Sequence, residues 1–278
     1  MIKSINDTIT LNNGVKMPQH GFGVYLITDE EKGYQSINKA LEVGYRAFDT
    51  AQFYENEALL GKILDESSVK RSELFITTKV ANYNQGYDST LSTVEQSLKD
   101  LRVDQLDLLL VHWPSKRRFF ETWKAMEKLY SEKLVRAIGV SNYEIHHLEE
   151  LAENSNIKPV INQVECHPYL TQAKIKDYVD KNDIAFEAWS PLGRGAVLKD
   201  PIIRIIAEHH NKSIAQIIIR WHLQKGNVVI PKSNTPSRIE ENASVYDFEL
   251  TEEEVKIIDA LNKDQRTGDN PDDLWFQM

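Results

Sequence analysis

Cysteine is almost missing from this chain: among 278 residues there is one, Cys166. A lone thiol excludes an intrachain disulfide and fits a reducing compartment. No stretch approaches the ~18 apolar residues that a membrane span needs. The opening run, Met1-Ile2-Lys3-Ser4-Ile5-Asn6-Asp7, lacks the apolar segment of a secretory signal, so a cytoplasmic location is expected. Basic residues are outnumbered, 33 Lys and Arg against 42 Asp and Glu, giving a net charge of −9 and a pI near 5.5. That balance argues against nucleic acid or an anionic membrane as partner. Any phosphate-bearing ligand must then be held by a local basic cluster. No Pro/Gly/Ser-rich linker, charge block or low-complexity run divides the chain, so residues 1–278 read as a single domain. A domain this long buries a sizeable core without metal or disulfide staples.

Two motifs are absent as well. No G-x-G-x-x-G turn follows the first strand, and Gly21-Phe22-Gly23 is too short to replace it, which disfavours a doubly wound open sheet. No His-x-His pair or carboxylate cluster marks a strand end, which leaves a metal-dependent barrel hydrolase as the weakest reading. His146-His147 and His209-His210 lie on helical patterns without acidic or thiol partners at ligand spacing, so they read as surface residues and no metal is expected. Cys166 and His167 are neighbours on a strand and face opposite sides, so they do not form a thiol–base pair.

What is present is alternation. Strand-like runs fall at 21–24, 45–48, 74–78, 106–111, 135–140, 160–164, 184–188 and 228–230. Apolar stripes at helical spacing lie between them, such as Leu91, Val94 and Leu98, or Ile214, Ile217, Ile218 and Trp221. Thr251 with Glu254 forms a capping box that opens a last helix. Eight strands alternating with helices predict a parallel (β/α)8 TIM barrel. Ahead of it, Asn13-Gly14 between two short apolar runs predicts a β-hairpin, placed to plug the barrel bottom.

In such a barrel the active site lies at the C-terminal ends of the strands. Those ends carry Asp49, Lys79, His112, Ser141-Asn142, Gln163, Trp189-Ser190 and Lys232-Ser233. Each taken alone has a bland explanation as a snorkelling lysine, a core histidine or a packing aromatic; seven at one rim do not. Five residues after Asp49 comes Tyr54, followed by Asn56 and Glu57. A Tyr hydroxyl, with an ordinary pKa of about 10, becomes a better proton donor beside an ammonium. Thr235-Pro236 reads as a helix start, which puts Arg238 in a first turn where the dipole disfavours a cation unless an anion binds there. The bland alternative pairs Arg238 with Glu240 or Glu241 in water.

The run Asp49-x4-Tyr54-x-Asn56-Glu57 resembles the aldo-keto reductase family, as do Leu74-Phe-Ile-Thr-Thr-Lys79 and Leu108-Leu-Leu-Val-His112-Trp-Pro. Arg136 to Tyr143, Ile161 to Glu165, Ala188 to Gly193 and the segment from Ile230 to Asn242 continue the likeness in family order. It extends from about Thr8 to Asn270 and points to the bacterial branch of diketogluconate and glyoxal type. The resemblance implies a catalytic tetrad of Asp49, Tyr54, Lys79 and His112. It also implies an NADPH cleft lined by Gly23, Val24, Tyr25, Ser141, Asn142, Gln163, Trp189, Ser190, Leu192, Lys232, Ser233, Arg238, Glu241 and Asn242. Trp189 would stack on the nicotinamide, which supplies the hydride that no side chain can. The implied partner is a small carbonyl substrate touching Tyr25, Ala81, His112 and Trp113, and the implied assembly is a monomer. The competing reading is a non-catalytic NADPH-binding module on the same fold. One departure stands out: the family has a Trp where this chain has Ala81. An open gap is expected there unless Tyr83, Trp113 or Trp275-Phe276 refills it.

Overall fold

The computed structural model describes residues 2–273. The hairpin comes first, with strands β1 (Thr8–Thr10) and β2 (Lys16–Pro18) antiparallel and Thr8 opposite Pro18. Gly14 turns it at φ +85°, a region that only glycine enters without steric cost. Then follow β3 (Phe22–Gly23), α1 (Glu30–Glu42), β4 (Ala47–Asp49), α2 (Glu57–Glu66), β5 (Phe75–Val80), α3 (Tyr87–Asp100) and β6 (Leu108–Val111). The second half runs α4 (Phe119–Ser131), β7 (Ile138–Ser141), α5 (Ile145–Asn154), β8 (Ile161–Glu165), α6 (Ala173–Lys181) and β9 (Ala185–Trp189). It ends with α7 (Pro201–His210), α8 (Ile214–Gln224), β10 (Val228–Val229), α9 (Pro236–Ala243) and α10 (Glu252–Asp259).

The eight strands β3 to β10 pair in parallel in chain order. A parallel bridge between His20 and Val229 joins the two ends, backed by Gly21 N–H to Val229 O at 2.9 Å and Val229 N–H to Gln19 O at 3.0 Å. The sheet is thereby closed into the barrel that the alternation predicts. Closure leaves no unpaired edge.

The barrel interior explains the hairpin. Leu11 and Met17 pack in one buried cluster with Ala47, Phe75, Leu108, Leu110 and Val228, all inward residues of the strands. Asn12 Nδ2 donates to the carbonyls of Pro159 and Asp183, and Asn13 Nδ2 to that of Arg136, so the plug is tied to strand-entry loops. A larger core lies between the outer faces of the strands and the helices. One helix escaped the sequence reading: α7, although Asp200 caps it by accepting from Ile202 and Ile203 N–H and Pro201 opens it. Its apolar stripe is short, and flanking it in sequence is a glycine-containing turn at 193–199 that obscures the period.

Candidate functional site

Strand β4 ends at Asp49, and the chain then makes a single tight turn, Gln52–Tyr54, closed by Glu55 in the left-handed region at φ +54°. That turn swings Tyr54 back over the barrel mouth. Asn56 holds it there. Its Nδ2 donates to the carbonyls of Val24 and Ile27 at 2.8 and 3.0 Å, and its Oδ1 accepts from Thr50 at 2.7 Å. Glu57 accepts from the hydroxyls of Thr78 and Ser97, 2.6 and 3.2 Å away. Asn56 and Glu57 therefore clamp the loops that carry Tyr25 and Tyr54, and take no place in the cleft themselves.

Beneath Tyr54, Lys79 at the end of β5 meets Asp49 with Nζ–Oδ1 at 2.5 Å and donates to Thr50 O at 2.9 Å. Both side chains are buried, 1% and 5% exposed, which only a paired ammonium and carboxylate tolerate. Burial alone would push Lys79 down; the attraction of Asp49 and Tyr54 outweighs it and the pKa rises. The ammonium lies 5.1 Å from the centroid of the Tyr54 ring. For Tyr54, burial raises the pKa and Lys79 only partly offsets it, so the net shift is upward. This corrects the sequence expectation that Lys79 would pull the phenol below its usual range. The ordinary competition between desolvation and a neighbouring charge goes to desolvation here.

His112 follows β6, its ring 5.6 Å from that of Tyr54 and 6.1 Å from that of Phe53, edge-on to both. Burial and then Lys79 drive its pKa well below the usual value, so the ring is neutral and carries one N–H. Tyr25 packs 4.9 Å from Tyr54 on the outer side and is 42% exposed. The four tetrad residues thus converge on one cleft.

The other rim residues join them. Asn142, at φ +64°, donates to His112 O at 2.9 Å and to Ser141 Oγ at 3.1 Å, and accepts from Trp189 Nε1 at 2.7 Å. Ser141 donates to Gln163 O. Gln163 Nε2 donates both to Asp49 Oδ2, at 2.8 Å, and to Glu187 Oε2, at 2.9 Å. Trp189 meets Trp113 at 6.4 Å, and Ser190 beyond it turns at φ +47° ahead of Leu192, which is half-buried. Gly23 lies so close to the last strand that a Cβ there would sit 3.1 Å from Ile230 O, and Val24 N–H bonds Asp49 O. That close approach and that bond join the first strand end to both of its neighbours.

On the far side of Gly23, Lys232 is half-buried and pushed down by burial, and no acid pairs with it among the described residues. Thr235 and Pro236 do begin α9, but the Thr235 side chain makes no cap; Ser233 Oγ accepts the Thr235 N–H instead, at 3.1 Å. Arg238 stands exposed in the first turn. Neither carboxylate offered as its partner is bound to it: Glu240 pairs with Lys39 at 3.1 Å, and Glu241 accepts from Ser213. Asn242 is buried behind them.

Ala81 is fully buried, its N–H bonded to Gln52 Oε1 at 3.0 Å, and Asn84 bonds that same oxygen. Its methyl is covered rather than lining a gap. Tyr83 is 60% exposed, Trp113 is half-buried, and Trp275-Phe276 lie outside the described residues.

Sequence reasoning missed two residues. Glu187 interrupts an apolar strand two positions before Trp189, which was its signal. Glu165, fully buried, accepts from His167 Nε2 at 3.0 Å and from Thr267 and Gly268 N–H at 2.7 and 3.1 Å. The histidine pairs need correcting too, because their acids come from remote sequence. His209 and His210 both reach Glu254 at 3.0 Å, and His146 reaches Asp272 at 3.1 Å with His147 buried beside it. Glu254 Oε2 also accepts from Thr251 N–H, and His147 Nδ1 accepts from Glu144 N–H. Those bonds account for the clusters as joints between elements.

The sequence profile of the Aldo/keto reductase family matches residues 21–263. The glyoxal reductase of Bacillus subtilis is 51% identical over 276 residues, covering 99% of this chain and all of that protein. A variant of Gox0644 crystallised with NADPH is 42% identical at a TM-score of 0.91, covering 96% of this chain and 97% of that one. An aldo-keto reductase of Bombyx mori crystallised with NADP is 34% identical at a TM-score of 0.90, covering 98% of this chain and 97% of that one.

Proposed function

This chain belongs to the aldo/keto reductase family, and we propose that it reduces small aldehydes and α-dicarbonyls to alcohols with NADPH. One observation carries the reading. A buried Lys79–Asp49 pair lies directly beneath a Tyr54 phenol that shares its cleft with a neutral His112. The residues suit the cofactor on grounds of charge. Lys232 and Arg238 stand at the start of α9 with no acid to neutralise them among the described residues, as the extra phosphate of NADPH requires. Trp189 offers a half-exposed ring beside the tetrad for the nicotinamide.

Bound there, the nicotinamide supplies the hydride. The side chains do the rest. His112 donates its N–H to the carbonyl oxygen and orients it. Tyr54, whose raised pKa keeps it protonated through neutral pH, gives its proton to that oxygen as charge develops. Lys79, held by Asp49, stabilises the phenolate left behind. Glyoxal is a substrate class suggested by the B. subtilis relative's name, and the exposed aromatics Tyr25 and Phe53 frame a mouth open to small carbonyls. The alternative of a non-catalytic cofactor module would leave this buried charge arrangement without a use. The same reading treats residues 1–278 as one domain working as a cytoplasmic monomer, in keeping with the buried lone thiol of Cys166 and the absence, among the described residues, of a membrane-length apolar helix.

The test is NADPH oxidation against a panel of glyoxal, methylglyoxal and aromatic aldehydes. Tyr54→Phe should lower kcat by at least ~100-fold while NADPH still binds, since only the proton donor is lost. Retention of a large share of kcat in that variant would remove Tyr54 from its role. Binding of NADPH without turnover of any carbonyl would favour the cofactor module.

A further inference from the structure

Four buried polar side chains face the barrel interior toward the C-terminal ends of their strands, beyond inward apolar residues such as Ala47, Phe75 and Ile161. They are Asp49 of β4, Lys79 of β5, Gln163 of β8 and Glu187 of β9. Gln163 and Glu187 are cross-strand partners in the β8–β9 register. The two protons of the Gln163 amide go to Asp49 Oδ2 and Glu187 Oε2. Asp49 is the partner of Lys79 and can only accept, which fixes the nitrogen of Gln163 on the inner side. No donor reaches Glu187 Oε1 among the described residues. A buried carboxylate with one bare oxygen costs more than a neutral carboxylic acid in the same place. In agreement, burial pushes the Glu187 pKa up to about 8, with repulsion from Asp49 adding to it.

We propose that Glu187 is a positioning residue for hydride transfer: as a neutral acid it holds one amide proton of Gln163 while Asp49 holds the other, so that Gln163 meets the cofactor only through its carbonyl oxygen. Two anchors fix the amide plane as well as its flip state; one anchor would leave it free to rotate about the Asp49 bond. The link also runs from Glu187 through Gln163 and Asp49 to Lys79, so the group that orients the nicotinamide carboxamide and the group that supports Tyr54 share one scaffold. This rests on the reading of the cleft as the nicotinamide site.

The experiment compares kcat/KM for NADPH with that for its 3-acetylpyridine analogue, whose methyl replaces the carboxamide NH2 and cannot donate to Gln163 Oε1. The difference in redox potential between the cofactors is common to every variant and cancels. Glu187→Gln keeps the shape and an acceptor, so it should retain the wild-type preference for NADPH within about twofold. Glu187→Leu removes the acceptor and should shrink that preference about tenfold, the scale of one lost hydrogen bond. Glu187→Met serves as the apolar replacement if Leu does not fold. A folded Leu or Met variant with an unchanged preference overturns the inference, as does a collapse in Glu187→Gln. Failure of the unmodified chain to turn over NADPH at all would instead overturn the reductase reading, so the two failures are distinct.

Discussion

At the scale of single residues, the proposed phosphate end of the cleft gives the sharpest discrimination. Among the described residues Lys232 is half-buried without a paired acid and Arg238 sits exposed in the first turn of α9, so each has an interaction to gain from a bound dianion. A hydrogen bond to a charged group contributes ~1.5–3 kcal/mol, about 10- to 100-fold in affinity. Replacing either residue by Ala should weaken NADPH by that factor and leave NADH nearly unchanged, as read by fluorescence titration. Equal weakening of both cofactors would put the phosphate elsewhere. Ala81 makes the opposite kind of prediction. Its methyl is covered and its N–H is engaged by Gln52, so a Trp there overpacks the turn that carries Tyr54. Ala81→Trp should cost ~1–3 kcal/mol of stability and reduce kcat/KM for small and bulky aldehydes alike. A stable variant that loses only bulky substrates would reveal an open gap.

At the scale of elements, one buried carboxylate helps to hold the segment after α10 to the barrel mouth. Glu165, at the end of β8, accepts from Thr267 and Gly268, while Lys263 and Gln265 N–H both bond Tyr169 O. The segment presses on Trp189, since a Cβ on Gly268 would lie 2.5 Å from its ring. Burial pushes the Glu165 pKa up, but the bonds from His167 and Thr267 overcome it and hold it at about 2. A carboxyl whose folded pKa is depressed stabilises the fold above its ordinary value, about 4.3, and loses that contribution as pH falls toward its folded value. The melting temperature should therefore decline between about pH 5 and 2. Glu165→Gln should start lower at pH 7 and show a shallower decline, with Glu254, also near 2, among the carboxyls that supply the remaining slope. An unchanged slope in that variant would mean that the latch does not contribute.

For the whole molecule, the proposed cofactor cleft draws on strands from both ends of the sheet, because Gly23 and Lys232 meet across the His20–Val229 seam. A ligand bridging that seam stabilises only the closed barrel. At a hundredfold excess over Kd, NADPH should add ~2.7 kcal/mol, which for a chain of this length corresponds to roughly 5–10 °C in Tm. NADH at the same concentration should raise Tm less, and thermal shift measures both. An equal shift from the two cofactors would contradict the phosphate assignment made from Lys232 and Arg238.

The alternation of strands and helices, the hairpin and the polar strand ends were legible in the sequence because they are local or periodic: Asn13-Gly14 turns by itself, and Asp49, Lys79 and His112 each end an apolar run. The helix start at Thr235-Pro236 was legible for the same reason, although the Thr235 side chain makes no cap. What stayed hidden depends on residues far apart in sequence. The acid that joins His209 and His210 is Glu254, the bond that engages the Ala81 N–H comes from Gln52, and Glu187 finds Gln163 only once β8 and β9 pair. The direction of the Tyr54 shift was settled the same way. The sequence by itself determined that an ammonium would stand near the phenol. Only the tertiary structure decided that burial outweighs it, since desolvation depends on every neighbour at once and a charge pair on two.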